Sequence, residues 1–293
     1  MVKRFLFISL VLSSSFIFPI YSQSFFDWKI DRLMIPSFTI GNAGYTGELN
    51  GNDQAWFGPT LVGLGFQYKI YNRFNARGEL NFYHISGDDA DGPENSFGKR
   101  KRNLSFTSNN LELVVLGMYD LIFQGGAYYE RSPIIPYIFA GIGVTYANPK
   151  GKLDGKKYAL RPIMTEGVKY TAFQLVLPSG IGVKYKVNYL FDLALEITYR
   201  FTFTDYLDDV SGFYTDPGSF DEIGRQLADR RSELGLDPAE AGDGRGNPDI
   251  DDGYGYINLR LNYYLPKDFF KKAYPNKPKI APFRKFKKKL HAL

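Results

Sequence analysis

The chain has 293 residues, 17% aromatics, 30 glycines and no cysteine. The absence of cysteine excludes disulfides, thiolate metal sites and a lipid anchor on cysteine. The formal charge of +5 is unevenly spread: two cations lie in residues 1–22 and a net nine in residues 266–293, which leaves the segment between at −6. A basic isoelectric point that comes from one tail gives no support to nucleic-acid binding.

Residues 1–22 read as a cleaved secretory signal. Lys3 and Arg4 form a basic start, Phe5–Ile20 an apolar stretch, and Ser22 a small residue before the cut. The stretch is shorter than the ~20 apolar residues of a spanning helix. No later segment is long and apolar enough to span as a helix, so membrane insertion would have to use strands.

Eight segments then alternate in hydrophobicity. The first, about Leu33–Asn42, is irregular at Pro36. Thr60–Tyr71 follows a Gly/Asn-rich loop and ends in a tight turn at Asn72-Arg73. Phe74–Ile85 sets Phe74, Ala76, Leu80 and Phe82 opposite Arg77, Glu79 and Asn81. A polar loop leads to Leu104–Phe123, in which Leu111, Leu113 and Val115 oppose Glu112. Ile134–Asn148 carries Gly141 and Gly143 on one face, where small residues leave room for large neighbours in a narrow lumen. After the loop Pro149–Lys169, Tyr170–Lys186 puts Lys184 opposite Val183 and Tyr185. Phe191–Thr204 is the cleanest: seven apolar residues on one face, and Asp192, Glu196 and Arg200 on the other. Tyr206–Asp252 is the longest loop, and Gly253–Leu265 the last strand, with Arg260 on its polar face.

Long and short connections alternate, and each segment covers the ~9–11 residues that cross a bilayer. This predicts an all-β fold: an eight-stranded antiparallel outer-membrane barrel over residues 23–265, with long extracellular loops. The polar face then lines a filled lumen, with Arg77, Glu79, Glu112, Lys184, Glu196, Arg200 and Arg260 paired across it. Lipid is the expected surroundings.

The loops carry the remaining candidates. Asp205, Asp208 and Asp209 could offer oxygen ligands to calcium, but read better as aspartates that fix a turn. With Thr204, Tyr206 and Ser211 they make a loop-fixing motif at the rim. Asn247, Asp249, Asp251 and Asp252 fail the EF-hand spacing. Ser219–Glu222 has the form of a capping box ahead of Ile223 and Leu227, which predicts a short helix stopped by Gly235. His84 and Ser86 share a face at the outer end of their strand, as in lipid A deacylases, but no carboxylate is assignable as a third member. No catalytic, cofactor or metal site is expected. Residues 266–293 form a basic periplasmic tail in which Lys271, Lys272, Arg284, Lys285, Lys287, Lys288 and Lys289 are candidates for contact with an acidic partner.

Several stretches occur in a recognisable order: Ile85-Ser86-Gly87-Asp88-Asp89, Arg102-Asn103-Leu104-Ser105-Phe106, Thr165-Glu166-Gly167, Pro178-Ser179-Gly180-Ile181-Gly182, Tyr199–Ser211 with its TFTDYLDDVS run, and Arg245-Gly246-Asn247. In this order the sequence resembles the PorG-type outer-membrane barrels of the type IX secretion system, a DUF6089-like family, over about Leu33–Leu265. The resemblance implies a non-enzymatic outer-membrane component without cofactor, which ties a periplasmic lipoprotein ring and its ring partner to the membrane. Two features depart from the pattern: Val168-Lys169-Tyr170 after Thr165-Glu166-Gly167, and the long basic tail. A structural or adhesive small barrel is the alternative, with a lipid A-modifying barrel behind it.

Overall fold

The computed structural model describes residues 32–49, 60–91, 97–123, 128–266 and 269. The signal segment 1–22 and all candidate cations of the tail lie outside the described residues.

Ten strands form one antiparallel sheet: β1 Met34–Thr46, β2 Leu61–Lys69, β3 Phe74–Asp88, β4 Ser105–Asp120, β5 Ile134–Tyr146, β6 Pro149–Leu153, β7 Lys156–Ala159, β8 Phe173–Lys186, β9 Phe191–Thr202 and β10 Gly253–Tyr263. Eight of them close a ring in the order β1-β2-β3-β4-β5-β8-β9-β10, and β10 pairs back to β1 from Ser37↔Asn262 to Thr46↔Gly253. Closure leaves no edge within the eight-stranded ring, as a bilayer requires.

The two sides of this ring are inverted relative to a soluble barrel. Leu64, Leu113, Val115, Ile142, Ile181, Ile197 and Leu259 are exposed on the outside. Arg77, Glu79, Glu112, Glu196, Arg200 and Arg260 are among the most buried residues of the chain. The alternation could not by itself say which face was which; burial does. An apolar belt with aromatic residues toward both ends (Phe74, Tyr119, Tyr185 and Tyr263 at one, Phe82, Phe173 and Phe201 at the other) is the signature of a membrane-spanning barrel.

The strands meet at two unlike ends. Turns such as Ile70–Arg73, closed by Ile70 N–H on Phe74 O at 3.0 Å, make the turn end. The long connections make the loop end, which in such barrels faces outward. Three local expectations need correction. The first strand continues to Thr46 rather than ending near Asn42, because β10 offers it a partner at every step. The connection after β5 is not all loop: β6 and β7 form a hairpin that carries on along β4 through Thr107↔Lys150 and Ser108↔Pro149. The helix of the longest loop spans Glu222–Ala228, and its cap is Asp221, whose carboxylate accepts Gly224 N–H at 2.7 Å, not Ser219. Gly235, at φ 69°, ends a separate short turn, Arg231–Leu234.

Candidate functional site

The lumen is filled in layers. Nearest the turn end, Arg131 holds Asp192 at 2.6 Å and stacks over Tyr264 at 4.0 Å, while the Tyr264 hydroxyl donates to Asp192 at 2.6 Å. Next, Lys184 pairs with Asp120 at 2.6 Å, and Asn75 donates to the same carboxylate at 3.2 Å. At mid-barrel, Arg77 reaches Glu79 and Glu196, both at 2.6 Å, and Arg260 reaches Glu79 at 2.7 Å and Glu196 at 3.1 Å. Above that, Arg200 faces Glu112 at 3.3 Å and lies 3.7 Å over the Tyr256 ring; Asn81 and Tyr254 donate to Glu112 at 2.9 and 2.6 Å. All seven expected lumen charges therefore face inward in opposite-charge contacts. Buried ions need such partners, because an unpaired one costs several kcal/mol.

Glycines make this filling possible. A Cβ on Gly182 would fall 2.5 Å from the Tyr137 ring, and one on Gly141 would fall 2.0 Å from Val115 O.

The loop end is closed by a polar plug built from the motif stretches. Its centre is the segment after β9. Thr204 Oγ1 accepts Tyr206 N–H at 3.2 Å and Asp208 Oδ1 accepts Val210 N–H at 2.9 Å, two side-chain turns that commit the local backbone. Asp209 adopts φ 72°, a left-handed conformation that aspartate tolerates. Leu207 and Val210 are thereby turned into the apolar roof with Leu49, Leu104, Leu160 and Leu227. The cavity among these side chains measures about 10 Å³, room for at most one water.

Each aspartate then ties a different loop. The Tyr45 hydroxyl meets Asp208 Oδ2 at 2.7 Å, and Leu49 N–H reaches the same oxygen at 3.4 Å. Asp209 accepts from Thr165 at 2.5 Å and from Tyr170 at 2.6 Å. Tyr206 stacks on Tyr170 at 4.8 Å between ring centres. Glu166 accepts Ser211 N–H and Gly212 N–H, each at 2.9 Å, and pairs with Arg245 at 2.9 Å. Arg245 also donates to Asp209 O at 2.5 Å, and its own carbonyl accepts from Arg102 at 2.5 Å. Arg102 in turn grips Asp89 through two bonds of 2.8 and 2.7 Å. So four loops, contributed from Tyr45 to Asp252, are held as one body.

Asp205 differs. It is only 7% exposed, yet neither of its oxygens accepts a hydrogen bond. One of its carboxylate oxygens lies within 4.8 Å of oxygens of Glu48 and Asp252. Burial pushes Asp205 up to about 8, with further repulsion from Glu48 and Asp208. Burial also pushes Asp208 up to about 7, and Asp252 up to about 10 with repulsion from Asp208 next. Asp209 rises to about 6 through burial, held back by Arg245.

Among the described residues no side-chain hydrogen bond joins His84 to Ser86. His84 Nδ1 bonds Asn109 Oδ1 at 2.7 Å on the outward face of the ring. Sequence reasoning gave no role to Tyr45, Asp120 or Arg131; it placed Asp192 only on a polar face, and Asp89, Arg102, Glu166 and Arg245 only within the stretches of the resemblance. For Arg245 a signal existed: an arginine set between Gly244 and Gly246 in an acidic loop. A Cβ at Gly246 would lie 2.4 Å from Ser211 O, so the backbone there is pressed against the TFTDYLDDVS segment.

A family model described as Domain of unknown function (DUF6089) matches residues 13–218. No curated protein matches the chain. Among solved structures the chain is similar to Neisserial surface protein A, with 12% identity over 79% of this chain and 97% of the other and a TM-score of 0.37. It is similar to the outer membrane protein OprG from Pseudomonas aeruginosa, with 14% identity, 82% and 99% coverage and a TM-score of 0.36. It is also similar to the outer membrane enzyme PagL, with 12% identity, 79% and 99% coverage and a TM-score of 0.34.

Proposed function

Since the chain belongs to the DUF6089 family, we propose that it is a sealed scaffold barrel of the outer membrane, the component of type IX protein secretion that anchors the periplasmic lipoprotein ring. The observation that carries the scaffold reading is the lumen: buried ion pairs fill it from Asp192 to Arg200 and a tied plug closes the loop end. Such an interior suits neither solute passage nor a substrate cleft. It suits a rigid body whose outside does the work. The secretion assignment rests on the resemblance carried by the ordered motif stretches, of which the TFTDYLDDVS, TEG and RGN segments meet in the plug.

In this reading the apolar belt holds lipid and the turn end, with the basic tail of residues 266–293, meets the ring lipoprotein and its ring partner. Neither cofactor nor nucleic acid takes part. Purification of the full-length barrel from solubilised membranes, followed by identification of what comes with it, tests the reading. Co-purification of a ring lipoprotein is expected; its consistent absence sinks the anchoring role. Truncation from Pro266 onward then separates the contributions: loss of the ring points to the tail, and retention to the turns.

A further inference from the structure

We propose that Glu48, Asp205 and Asp252 form a binding site for a hard divalent cation of the calcium class, which fastens the first long loop to both ends of the fourth. One ligand oxygen from each residue lies within 4.8 Å of the other two. Calcium takes oxygen ligands at ~2.3–2.6 Å, so oxygens on opposite sides of one ion are roughly 5 Å apart. All three carboxylates can therefore touch a single ion.

The second observation is the orphaned carboxylate. Asp205 is more than nine-tenths buried, both of its oxygens lack a hydrogen-bond donor, and it is aimed at the other two acids. The Ser211 hydroxyl faces it and favours its charged form, but falls outside hydrogen-bond geometry. A buried acceptor without a partner is costly, and a cation is a partner it lacks within the protein.

Tyr45 provides a third. Its hydroxyl has one hydrogen but stands 2.7 Å from Asp208 Oδ2 and 2.5 Å from Asp252 Oδ1. One hydrogen serves one carboxylate. Among the described residues the only other donor to this oxygen pair is Leu49 N–H, a long 3.4 Å from Asp208 Oδ2, so a nearby positive charge would be favourable there. Arg102, the guanidinium felt by Glu48 and Asp208, already has two of its nitrogens on Asp89. Four acids, Glu48, Asp205, Asp208 and Asp252, are thus gathered where a cation could take the place of the protons that otherwise balance them.

The donor set selects the ion class. It is all oxygen, in a chain with no cysteine and with histidines only at 84 and 291. That suits calcium rather than zinc or copper. Asp252 keeps a bond from Leu207 N–H at 2.8 Å and Glu48 one from Asn247 N–H at 3.0 Å, which orient both carboxylates as an ion approaches. The ion would join residue 48 to residues 205 and 252, the exit of β9 and the approach to β10.

The test uses the full-length chain in detergent, stripped with chelator and titrated with calcium chloride by calorimetry. One saturable ion per chain is expected, with a dissociation constant in the range of about 10⁻⁵–10⁻³ M. Proton release on binding is expected too, because ligands shed protons. Asp205→Asn and Glu48→Gln should each weaken binding at least about tenfold, as charge count tunes such sites. Asp237→Asn, an exposed acid of the same loop, should not. The heat-dependent gel shift of a folded barrel checks each variant, and the wild-type titration stands even if a variant fails it. No saturable uptake by the wild type up to about 10 mM calcium, beyond the weakest sites of this kind, overturns the proposal. So does wild-type affinity in folded Asp205→Asn and Glu48→Gln, and in that case protons alone balance the cluster.

Discussion

Exchanging Glu196 for glutamine removes one of two anions that share two guanidiniums. In the wild type, Arg77 and Arg260 each contact both Glu79 and Glu196 at 2.6–3.1 Å, and the side chains are 1–2% exposed. The four charges cancel. Glu196→Gln keeps the volume but leaves Glu79 alone between two arginines, with one positive charge unbalanced. Removing one partner of a buried pair costs about 3–5 kcal/mol; because Glu79 still touches both cations, the lower end, about 3, is expected. Adding Arg77→Met restores balance, since Arg260 and Glu79 remain 2.7 Å apart. The double variant should then lie at least about 1.5 kcal/mol above the sum of the singles, within the range of coupling between contacting residues. Urea unfolding in lipid vesicles, read by the gel shift between folded and unfolded barrel, measures all four corners of the cycle. Additive losses would refute the idea that charge balance, rather than packing, holds the middle of the lumen.

Three further outcomes follow from the same geometry. Gly141→Ala, whose new Cβ falls 2.0 Å from Val115 O, should lower folding yield and stability by about 1–3 kcal/mol, whereas Gly78→Ala, with open space around it, should be neutral in the same refolding assay. Asp209 is raised from 3.8 to about 6 in the folded plug; a raised carboxyl contributes stability that is complete below the unfolded value and is lost as pH rises through the folded one. Hydrogen exchange around Thr165–Tyr170 should therefore speed up between about pH 4 and 7 beyond its intrinsic rise, and Asp209→Asn should abolish that excess. In planar bilayers the purified barrel should show no steady conductance of the porin kind, and well-resolved open channels would contradict a lumen closed by Arg200–Glu112 and Arg77–Glu196.

The barrel was legible because its strands carry strict alternation with charge on one face only, most clearly from Phe191 to Thr202. Period two tells strand from helix but not lumen from lipid; the inside was assigned only through the topology of long and short connections. The plug was legible in part. Aspartates 205, 208 and 209 stood out in one short run, but their partners Tyr45, Thr165, Tyr170 and Arg245 lie between 36 and 163 residues away. No local spacing announces contacts of that range. Asp252 was set aside with a failed calcium-loop pattern, although its contacts with Tyr45 and Leu207 join separate segments and have no reason to obey that spacing. The β6–β7 hairpin escaped because lysines and glycines fill it: Lys152 faces Lys157 across the ladder where apolar alternation would normally be sought. Arg131 and Asp120 look like solvated charges at strand ends, and only the closed ring turns them inward, to join Asp192 and Lys184.

The ring has a single seam between its first and last strands, and both of those strands leave it at the turn end. A pull toward the periplasm on the two chain ends would load that seam as a zipper, one rung at a time from Ser37↔Asn262 onward, rather than shearing all rungs together. The seam's mouth is where extra fastenings sit: Leu265 N–H on Met34 O at 3.0 Å, Arg32 on Tyr264 O at 2.6 Å, and Tyr264 clamped by Asp192 and Arg131. Whatever pulls on those two ends meets these fastenings before the first rung of the ladder.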